Sequence, residues 1–229
     1  MKSALVTGAS SGIGKAIAVA LVREGFEVTG LCRSVDQLPD GVSGLQCDLR
    51  EPAQIETAFG SLDSLDILVN SAGLAYLSGL SDGDPGQWEE MWRVNVHALA
   101  LCSRLALPLF PETGGQILNL SSMSGHRVPP TGGFYAGTKF AVRAVSEALR
   151  SELKSSGNRT RVSCLSPGFV DTPLLDKYFD GRENELDATR DSGQMLTPEA
   201  IAATALHMLT APEGVEINDV LMRSNQQAI

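Results

Sequence analysis

The chain has 229 residues, of which 43% are hydrophobic and 20% are charged, so it has the composition of a globular protein with enough apolar material for a buried core. Its net charge of −9 and its scattered Lys and Arg residues argue against nucleic acid as a main partner, because binding to phosphate backbones needs clustered basic side chains. The four cysteines include no Cys-x-x-Cys pair and the three histidines lie far apart, so we predict no metal site.

The start of the chain and its apolar segments predict a soluble, cytoplasmic protein. A strand-like run begins at Ser3, which leaves no room for a signal peptide. No apolar run reaches the roughly 18 residues that a membrane span needs, so we expect no membrane partner. The cysteines lie mostly in or beside strand-like runs, as is typical of reduced core thiols.

Strand-like and helix-like segments alternate along the chain. Strands are predicted at 4–7, 26–32, 44–47, 66–70, 116–120, 161–165 and 217–222. Helices are predicted at 13–24, 52–59, 87–109, 134–155 and 198–209. The third of these helices has a possible break near Val94. This alternation predicts one α/β domain over residues 1–229, a three-layer, doubly wound parallel sheet of the Rossmann type.

The segment from about 176 to 195 differs from the rest of the chain. It is polar, charged and poor in β-branched residues. Because helix and strand patterns resume after it, we interpret this segment as a mobile flap over the substrate and not as a linker between domains.

The carboxyl ends of the predicted strands carry polar and glycine residues, whereas the strands themselves are apolar. In an open parallel sheet, ligands bind beyond these ends. The residues found there are Gly8, Cys32, Arg33, Asp48, those at 70–73, Ser121, Ser122 and those at 166–168. The pattern predicts a ligand site along this edge of the sheet.

The first strand end is a glycine-rich turn that opens a helix. Its glycines are spaced Gly-x-x-x-Gly-x-Gly instead of the commoner Gly-x-Gly-x-x-Gly. Glycine allows a tight turn and a close approach of phosphate, and the helix that follows offers free N–H groups to an anion. We predict a dinucleotide-phosphate site here, with a merely tight connection as the alternative. The predicted contacts are Gly8, Ser10, Ser11, Gly12, Ile13 and Gly14.

Tyr135 and Lys139 lie four residues apart near the start of a predicted helix, so they share one helical face. A tyrosine hydroxyl, with a usual pKa of about 10, is a poor base at neutral pH, and a neighbouring ammonium should lower that pKa. Such a pair is therefore a sensible proton donor and acceptor. On its own the pair is common on surface helices, but the glycine turn and Ser122 favour a catalytic role.

Taken together, these motifs resemble the short-chain dehydrogenase/reductase family. The matching motifs are Thr7-Gly8-x-x-x-Gly12-x-Gly14, Asn70-Ser71-Ala72-Gly73, Asn95, Ser122, Tyr135-x-x-x-Lys139 and Pro167-Gly168-x-x-x-Thr172. They follow the family's order and spacing over about residues 3–172. Two features depart from the family: Ser71, where many members have a second Asn, and the segment 218–223, which lacks the glycine-rich ending of many members. The resemblance implies an oxidoreductase that moves a hydride between a nicotinamide cofactor and a carbonyl or alcohol substrate.

The resemblance also implies roles for single residues. Ser122 would hold the substrate oxygen, Asn95 would help hold a water that relays protons through Lys139, and Lys139 would also bind the nicotinamide ribose. Two alternatives stay open: one of Ser121 and Ser122 merely caps the strand, and Asn95 is a structural core amide. The further cofactor contacts implied are Asp48 at the adenine edge, Leu49, Asn70, Ala72, Gly73, Tyr135, Pro167, Gly168, Val170 and Thr172.

The end of the second strand bears on the choice between NADP(H) and NAD(H). NAD-binding folds place an acidic residue there to bind the ribose 2′-hydroxyl, whereas this chain has Arg33. A guanidinium pairs with a 2′-phosphate through its planar fork. We predict NADP(H) in preference to NAD(H), and the alternative is that Arg33 is a solvated residue in a turn.

The substrate pocket is predicted to include Ser124, His126, Phe134 and parts of the 176–195 segment, although a loop histidine is equally a bystander. The mixed polarity of these residues names no particular carbonyl or alcohol. Weak similarity of the last stretch to bacterial members hints at hydroxy acids or small carbonyls.

Helices corresponding to 87–109 and 134–155 pair subunits in the family, so we expect a homodimer or homotetramer.

Two other functions stay open. A non-catalytic NADP(H) sensor would not need Ser122, Tyr135 and Lys139 together, and an enzyme acting on nucleotide-sugars usually has a larger C-terminal region.

Overall fold

The computed structural model describes residues 1–130, 132–191, 193 and 195–227. Within these residues, seven strands are β1 (Ser3–Thr7), β2 (Glu27–Cys32), β3 (Val42–Gln46), β4 (Ile67–Asn70), β5 (Gln116–Leu120), β6 (Arg161–Pro167) and β7 (Asp219–Met222). They form one sheet in the order β3-β2-β1-β4-β5-β6-β7, and every neighbouring pair is parallel. All seven predicted strands therefore form.

The strand order reverses at β1, which pairs with β2 on one side and β4 on the other. Thr7, the last residue of β1, lies level with Leu31 and with Asn70 in these two neighbours. Its hydroxyl oxygen accepts hydrogen bonds from the backbone N–H groups of Ser71 (3.0 Å) and Ala72 (3.1 Å). The turn after β4 is thus fixed over the end of β1, at the switch point where such sheets bind ligands.

Helices cover both faces of the sheet. They are α1 (Gly12–Arg23), α2 (Pro52–Gly60), α3 (Pro85–Trp92), α4 (Leu99–Ala106), α5 (Gly133–Ser155), α6 (Leu174–Tyr178), α7 (Glu183–Asp191) and α8 (Pro198–Leu209). Leu21 of α1 and Ile201 of α8 share one apolar core with the sheet, whereas Ile55 of α2, Cys102 of α4 and Leu153 of α5 share another. The predicted three-layer, doubly wound α/β fold is confirmed.

The predicted helix at 87–109 is divided into pieces. A π-helical segment, Arg93–Ala98, joins α3 to α4, and a 3₁₀ turn at Leu107–Leu109 follows. The expected break near Val94 is therefore confirmed. Short π-helical segments inside helices occur frequently at functional sites, and this one carries Asn95.

The polar segment at 176–195 contains regular structure. It begins within α6 and includes α7, whose residues Glu183–Asp191 lie on the surface around one buried side chain, Leu186. Positions 192 and 194 of this segment lie outside the described residues. That the segment moves as a flap stays a prediction.

The described ranges hold neither a helix fit to span a membrane nor a cluster of side chains fit to bind a metal ion. None of their helices combines the length and the apolar character that crossing a membrane requires. Nor does this part of the chain bring together three or more His, Cys, Asp or Glu side chains in a way that could hold a metal ion.

Candidate active site

A single cleft of about 970 Å³ collects the residues at the carboxyl ends of the strands. The predicted site residues that line it are Gly8, Ser10, Ser11, Gly12, Ile13, Gly14, Arg33, Asp48, Leu49, Ala72, Gly73, Ser122, Ser124, Tyr135, Lys139, Pro167, Gly168, Val170 and Thr172. Residues far apart in sequence thus meet in one cavity, as the pattern of strand ends predicts.

Asn70 is buried and is not among the residues that line this cleft. Its side-chain amide donates to Ser103 Oγ at 3.0 Å and to Asn119 Oδ1 at 2.9 Å. The Asn70 side chain thus joins β4 to β5 and α4, and a contact of Asn70 with the cofactor stays a prediction.

His126 and Phe134 also lie outside the cleft lining. His126 Nε2 is hydrogen-bonded to Ser166 Oγ at 2.9 Å, and the Phe134 ring stacks on Trp88 with centroids 5.5 Å apart. Both side chains pack between elements, so the structure does not bring them to the cleft lining with Ser124, and their place in the substrate pocket stays a prediction. Of the three predicted pocket residues, Ser124 lines the cleft.

The glycine turn has the backbone geometry of a phosphate cradle. Gly8 has φ of +70°, and a Cβ on it would lie 2.9 Å from Ala72 Cα. A Cβ on Gly14 would collide with the carbonyl of Gly8. Ser11, the N-cap of α1, makes no side-chain capping bond, and the first turn of α1 carries no acidic residue. The first N–H groups of α1 are therefore left for an anion, and the turn fits a dinucleotide.

Ser122, Tyr135 and Lys139 converge at the other end of the cleft. Tyr135 and Lys139, near the start of α5, are only 8% and 6% exposed. Lys139 Nζ donates to the carbonyl of Leu120 at 2.9 Å and lies 5.8 Å from the centroid of the Tyr135 ring. Ser122 is near enough to Tyr135 to act against the rise of its pKa, and the Ser122 oxygen accepts from the backbone N–H of Ser124 at 3.1 Å.

The two adjacent serines have different surroundings. Ser121 is buried, and its hydroxyl donates to the main-chain oxygen of Lys139 at 3.0 Å, which ties β5 to α5. Ser122 is partly exposed and is the one whose hydroxyl influences the pKa of Tyr135. The geometry therefore favours Ser122 over Ser121 as the residue that holds a substrate oxygen.

Burial is the largest influence on the pKa values of Tyr135 and Lys139. It raises the pKa of Tyr135, and the hydrogen bond with Ser122 opposes that rise without cancelling it. It also lowers the pKa of Lys139 to about 8. The expectation that the Lys139 ammonium lowers the Tyr135 pKa is wrong for this structure, because the loss of hydration in the protein interior disfavours the charged form of each group.

Asn95 is held entirely by protein groups. Its Oδ1 accepts from the N–H of Leu74 at 2.7 Å, and its Nδ2 donates to the oxygen of Leu74 at 2.8 Å and to Thr138 Oγ1 at 3.0 Å. The Thr138 hydroxyl in turn donates to the main-chain oxygen of Tyr135 at 2.7 Å. Asn95 thus joins the loop after β4 to α5 through its side chain.

A network of charged side chains borders the cleft near Asp48, and no local sequence pattern indicates it. Arg50 donates to Asp48 (Nε at 3.0 Å) and to Glu90 (Nη1 at 2.9 Å), and the Tyr76 hydroxyl donates to Glu90 at 2.6 Å. The hydrogen bond from Arg50 lowers the pKa of Asp48. The hydrogen bond that the Tyr76 hydroxyl donates to Glu90 raises the pKa of Tyr76 to about 12. Lys177 Nζ of α6 lies 5.7 Å from the Tyr76 ring centroid, so the network reaches the helix beside the catalytic end.

Arg33 differs from Arg50 in having no carboxylate partner. Within the described part of the chain, no ion pair involves its exposed guanidinium, whereas Arg50 pairs with two carboxylates. Its backbone oxygen is held by Gln46 Nε2 at 3.2 Å. Arg33 therefore presents an exposed guanidinium just after β2, without an ion-pair partner in the described part of the chain.

Comparisons with known proteins agree with this geometry. A sequence model of the short chain dehydrogenase family matches residues 2–183. Dehydrogenase/reductase SDR family member 11 of Bos taurus is 38% identical over 245 residues, which cover 98% of this chain and 96% of the relative.

Solved structures are similar over nearly the whole chain. A closed form of serine dehydrogenase complexed with NADP+ superposes with a TM-score of 0.91 at 31% identity, covering 99% of this chain and 96% of that one. A 3-ketoacyl-(acyl-carrier-protein) reductase from Brucella melitensis complexed with NADH superposes with a TM-score of 0.85 at 26% identity, covering 98% of each chain. On the sequence matches together with this fold, the chain belongs to the short-chain dehydrogenase/reductase family of oxidoreductases.

Proposed function

We propose that this chain is an NADP(H)-dependent oxidoreductase that interconverts a small carbonyl compound and its alcohol. The observation that carries the proposal is the convergence of Ser122, Tyr135 and Lys139 at one end of a cleft. The other end of the same cleft offers the glycine turn and the unpaired guanidinium of Arg33. A nicotinamide cofactor supplies or accepts the hydride when it is bound.

The protein's own part in the reaction is to manage the proton. Because burial raises the pKa of Tyr135, its hydroxyl is protonated at neutral pH and is placed to donate to the carbonyl oxygen during reduction. Ser122 donates to the same oxygen and stabilises the charge that develops on it. Lys139, with a pKa of about 8, is mostly protonated at neutral pH and supplies the next proton.

Asn95 contributes by position in this scheme. Its bonds to Leu74 and Thr138 hold the loop after β4 against α5. A Cβ on Gly73, in that loop, would lie 3.4 Å from Asn95 Oδ1 and 3.7 Å from Lys139 Nζ. The Asn95 side chain and Lys139 Nζ therefore flank the same glycine of this loop, so Asn95 helps to fix the loop beside Lys139.

The cofactor would be held along the whole cleft. The glycine turn would bind its phosphates through backbone N–H groups, and Arg33 would bind the 2′-phosphate. The remaining contacts are proposed for Asp48, Leu49, Ala72, Gly73, Tyr135, Lys139, Pro167, Gly168, Val170 and Thr172, all of which line the cleft. The NADH bound to the Brucella melitensis reductase keeps NAD(H) as the alternative.

We also propose that subunits of this protein pair with one another, because aromatic side chains near the site are exposed. Trp92, at the end of α3, is 46% exposed, and Phe140 of α5 is 39% exposed. Burial of such side chains against a second copy is favourable, and twofold association is the commonest arrangement.

Consumption of NADPH and of NADH by the purified protein, measured with a panel of ketones, aldehydes and oxo acids, tests the proposed function. We expect turnover of at least one class, faster with NADPH than with NADH. NADPH binding without turnover of any compound would contradict the proposal and favour a non-catalytic sensor.

A further inference from the structure

The chain segment that follows β7 reaches the cleft through Gln227. Met222 accepts a hydrogen bond from the N–H of Gly168 at 2.7 Å, which joins the ends of β7 and β6. Beyond it, the N–H of Gln227 donates to the oxygen of Ser224 at 3.1 Å, and Arg223 Nη1 donates to the main-chain oxygen of Gln227 at 2.5 Å. Ser224 and Gln227 are 8% and 5% exposed, so this segment is folded into the protein.

The side-chain amide of Gln227 has a defined orientation. Its Oε1 accepts from the backbone N–H of Phe169 at 3.2 Å and lies so close to Gly168 that a Cβ there would collide with it. Because an N–H group faces the oxygen, the Nε2 group must take the other side of the amide. No residue in the described part of the chain accepts a hydrogen bond from this Nε2, although Gln227 lines the cleft.

The Nε2 group is not sealed from solvent, so it is open to the cleft that Gln227 lines. There an acceptor on a bound ligand can replace the water that this donor otherwise meets. Arg127, Lys177 and Ser124 line the same cleft as Gln227 and carry further hydrogen-bond donors. An oxygen acceptor bound in the cleft would satisfy Gln227 Nε2.

We infer that Gln227 is a substrate-specificity residue whose Nε2 donates to a second oxygen of the substrate, distinct from the oxygen held by Tyr135 and Ser122. The substrate class is a carbonyl compound with a second acceptor, either a charged carboxylate, as in an oxo acid, or a neutral carbonyl, as in a dicarbonyl. The inference rests on the proposed function, because it assumes that a carbonyl group reacts at Tyr135.

Gln227→Glu is the most direct test. The glutamate keeps an oxygen for the N–H of Phe169 and replaces the free donor by a second oxygen, with little change of shape. Gln226→Glu is the matched control, because it adds the same charge at an exposed neighbour. Gln227→Met, which removes the donor without adding charge, is the second variant if the buried carboxylate impairs folding.

The measured quantity is the ratio of kcat/KM for an oxo acid, or for a dicarbonyl, to kcat/KM for a monoketone of the same length. We expect Gln227→Glu to lower this ratio at least about tenfold, because a lost hydrogen bond to a substrate oxygen is worth about that factor. The loss should be larger for the oxo acid, whose charge the glutamate repels. Gln226→Glu should leave the ratio as in the wild type.

Two results would overturn the inference. An unchanged ratio in both Gln227 variants would mean that Nε2 meets no substrate oxygen. An equal loss for all three compounds, together with a weaker Kd for NADPH in a fluorescence titration, would mean that Gln227 only supports the cofactor loop. A wild-type protein that reduces none of the compounds would refute the proposed function itself, and this inference with it.

Discussion

Tyr178 packs edge-on against Tyr135, with ring centroids 5.8 Å apart and ring planes at 63°. Tyr178 is the last residue of α6, and its ring also meets Phe179 at 5.1 Å. Burial raises the pKa of Tyr178 to about 12, so its hydroxyl stays neutral. The helix that borders the substrate end of the cleft is therefore attached to the residue proposed to transfer the proton, and its position affects the hydration of Tyr135.

Replacement of Tyr178 by alanine is expected to lower kcat/KM about tenfold. The variant loses an aromatic contact worth about 0.5–1.5 kcal/mol and admits water to Tyr135. Since burial is what raises the Tyr135 pKa, the alkaline limb of the pH–rate profile should move to lower pH. Tyr178→Phe, which keeps the ring, is the control and should retain the wild-type profile. An alanine variant with wild-type rate and profile would show that α6 does not shield Tyr135.

Tyr135→Phe is expected to reduce turnover by about 10²-fold or more, because general acid–base groups contribute about that much to rate. Phenylalanine preserves the packing against Tyr178 and removes the hydroxyl. Binding of NADPH, followed by fluorescence, should stay close to that of the wild type. Turnover equal to that of the wild type would refute the assignment of Tyr135 as the proton donor.

Arg33→Ala is expected to raise the KM for NADPH roughly tenfold and to leave the KM for NADH nearly unchanged, because hydrogen bonds to a charged phosphate are among the stronger ones. The difference between wild type and variant should shrink as salt is added, since the guanidinium is exposed. Arg93→Ala is the matched control, because Arg93 is an exposed arginine paired with Glu89 outside the cleft. A wild type that prefers NADH, or uses both cofactors equally, would contradict the role of Arg33.

The fold and most of the cleft could be predicted because both depend on local patterns. Apolar runs mark the strands, and parallel strands bring their carboxyl ends to one edge, so the residues after each run had to meet. Gly8, Ser122 and Thr172 are all found in this way. The Tyr135–Lys139 pair follows from helical spacing, which places residues i and i+4 side by side.

The structure differs from the sequence-based expectations where the direction of side-chain packing or the depth of burial sets the properties of a residue. His126 and Phe134 are near Tyr135 in sequence, but their side chains pack against Ser166 and Trp88. The direction of the Tyr135 pKa shift depends on how deeply the hydroxyl is buried, which no spacing reveals.

Other residues of the cleft were missed because they come from distant parts of the chain. Glu90 meets Arg50, which lies 40 residues away, and Gln227 meets Phe169, which lies 58 residues away. Such contacts depend on how whole elements cross, and no motif in the sequence indicates them.

The lowered pKa of Lys139 predicts a pH dependence of stability. In the folded chain this lysine loses its proton near pH 8, whereas in the unfolded chain it does so near its ordinary value of 10.5. Between these values the unfolded state binds more protons, so Lys139 should make the free energy of unfolding rise with pH, by up to about 1.4 kcal/mol per pH unit. Below pH 8 both states are protonated and the buried charge is simply unfavourable.

Lys139→Met removes this contribution. The difference in the free energy of unfolding between wild type and Lys139→Met, measured with urea at pH 7, 8, 9 and about 10, should therefore shift in favour of the wild type as the pH rises. Lys15→Met is the control for the loss of a lysine side chain, because Lys15 is exposed on α1. Above pH 10 the raised pKa of Tyr135 acts in the opposite direction, since the folded state then keeps a proton that the unfolded state loses. A difference that stays constant between pH 8 and 10 would mean that Lys139 keeps its ammonium charge inside the folded protein.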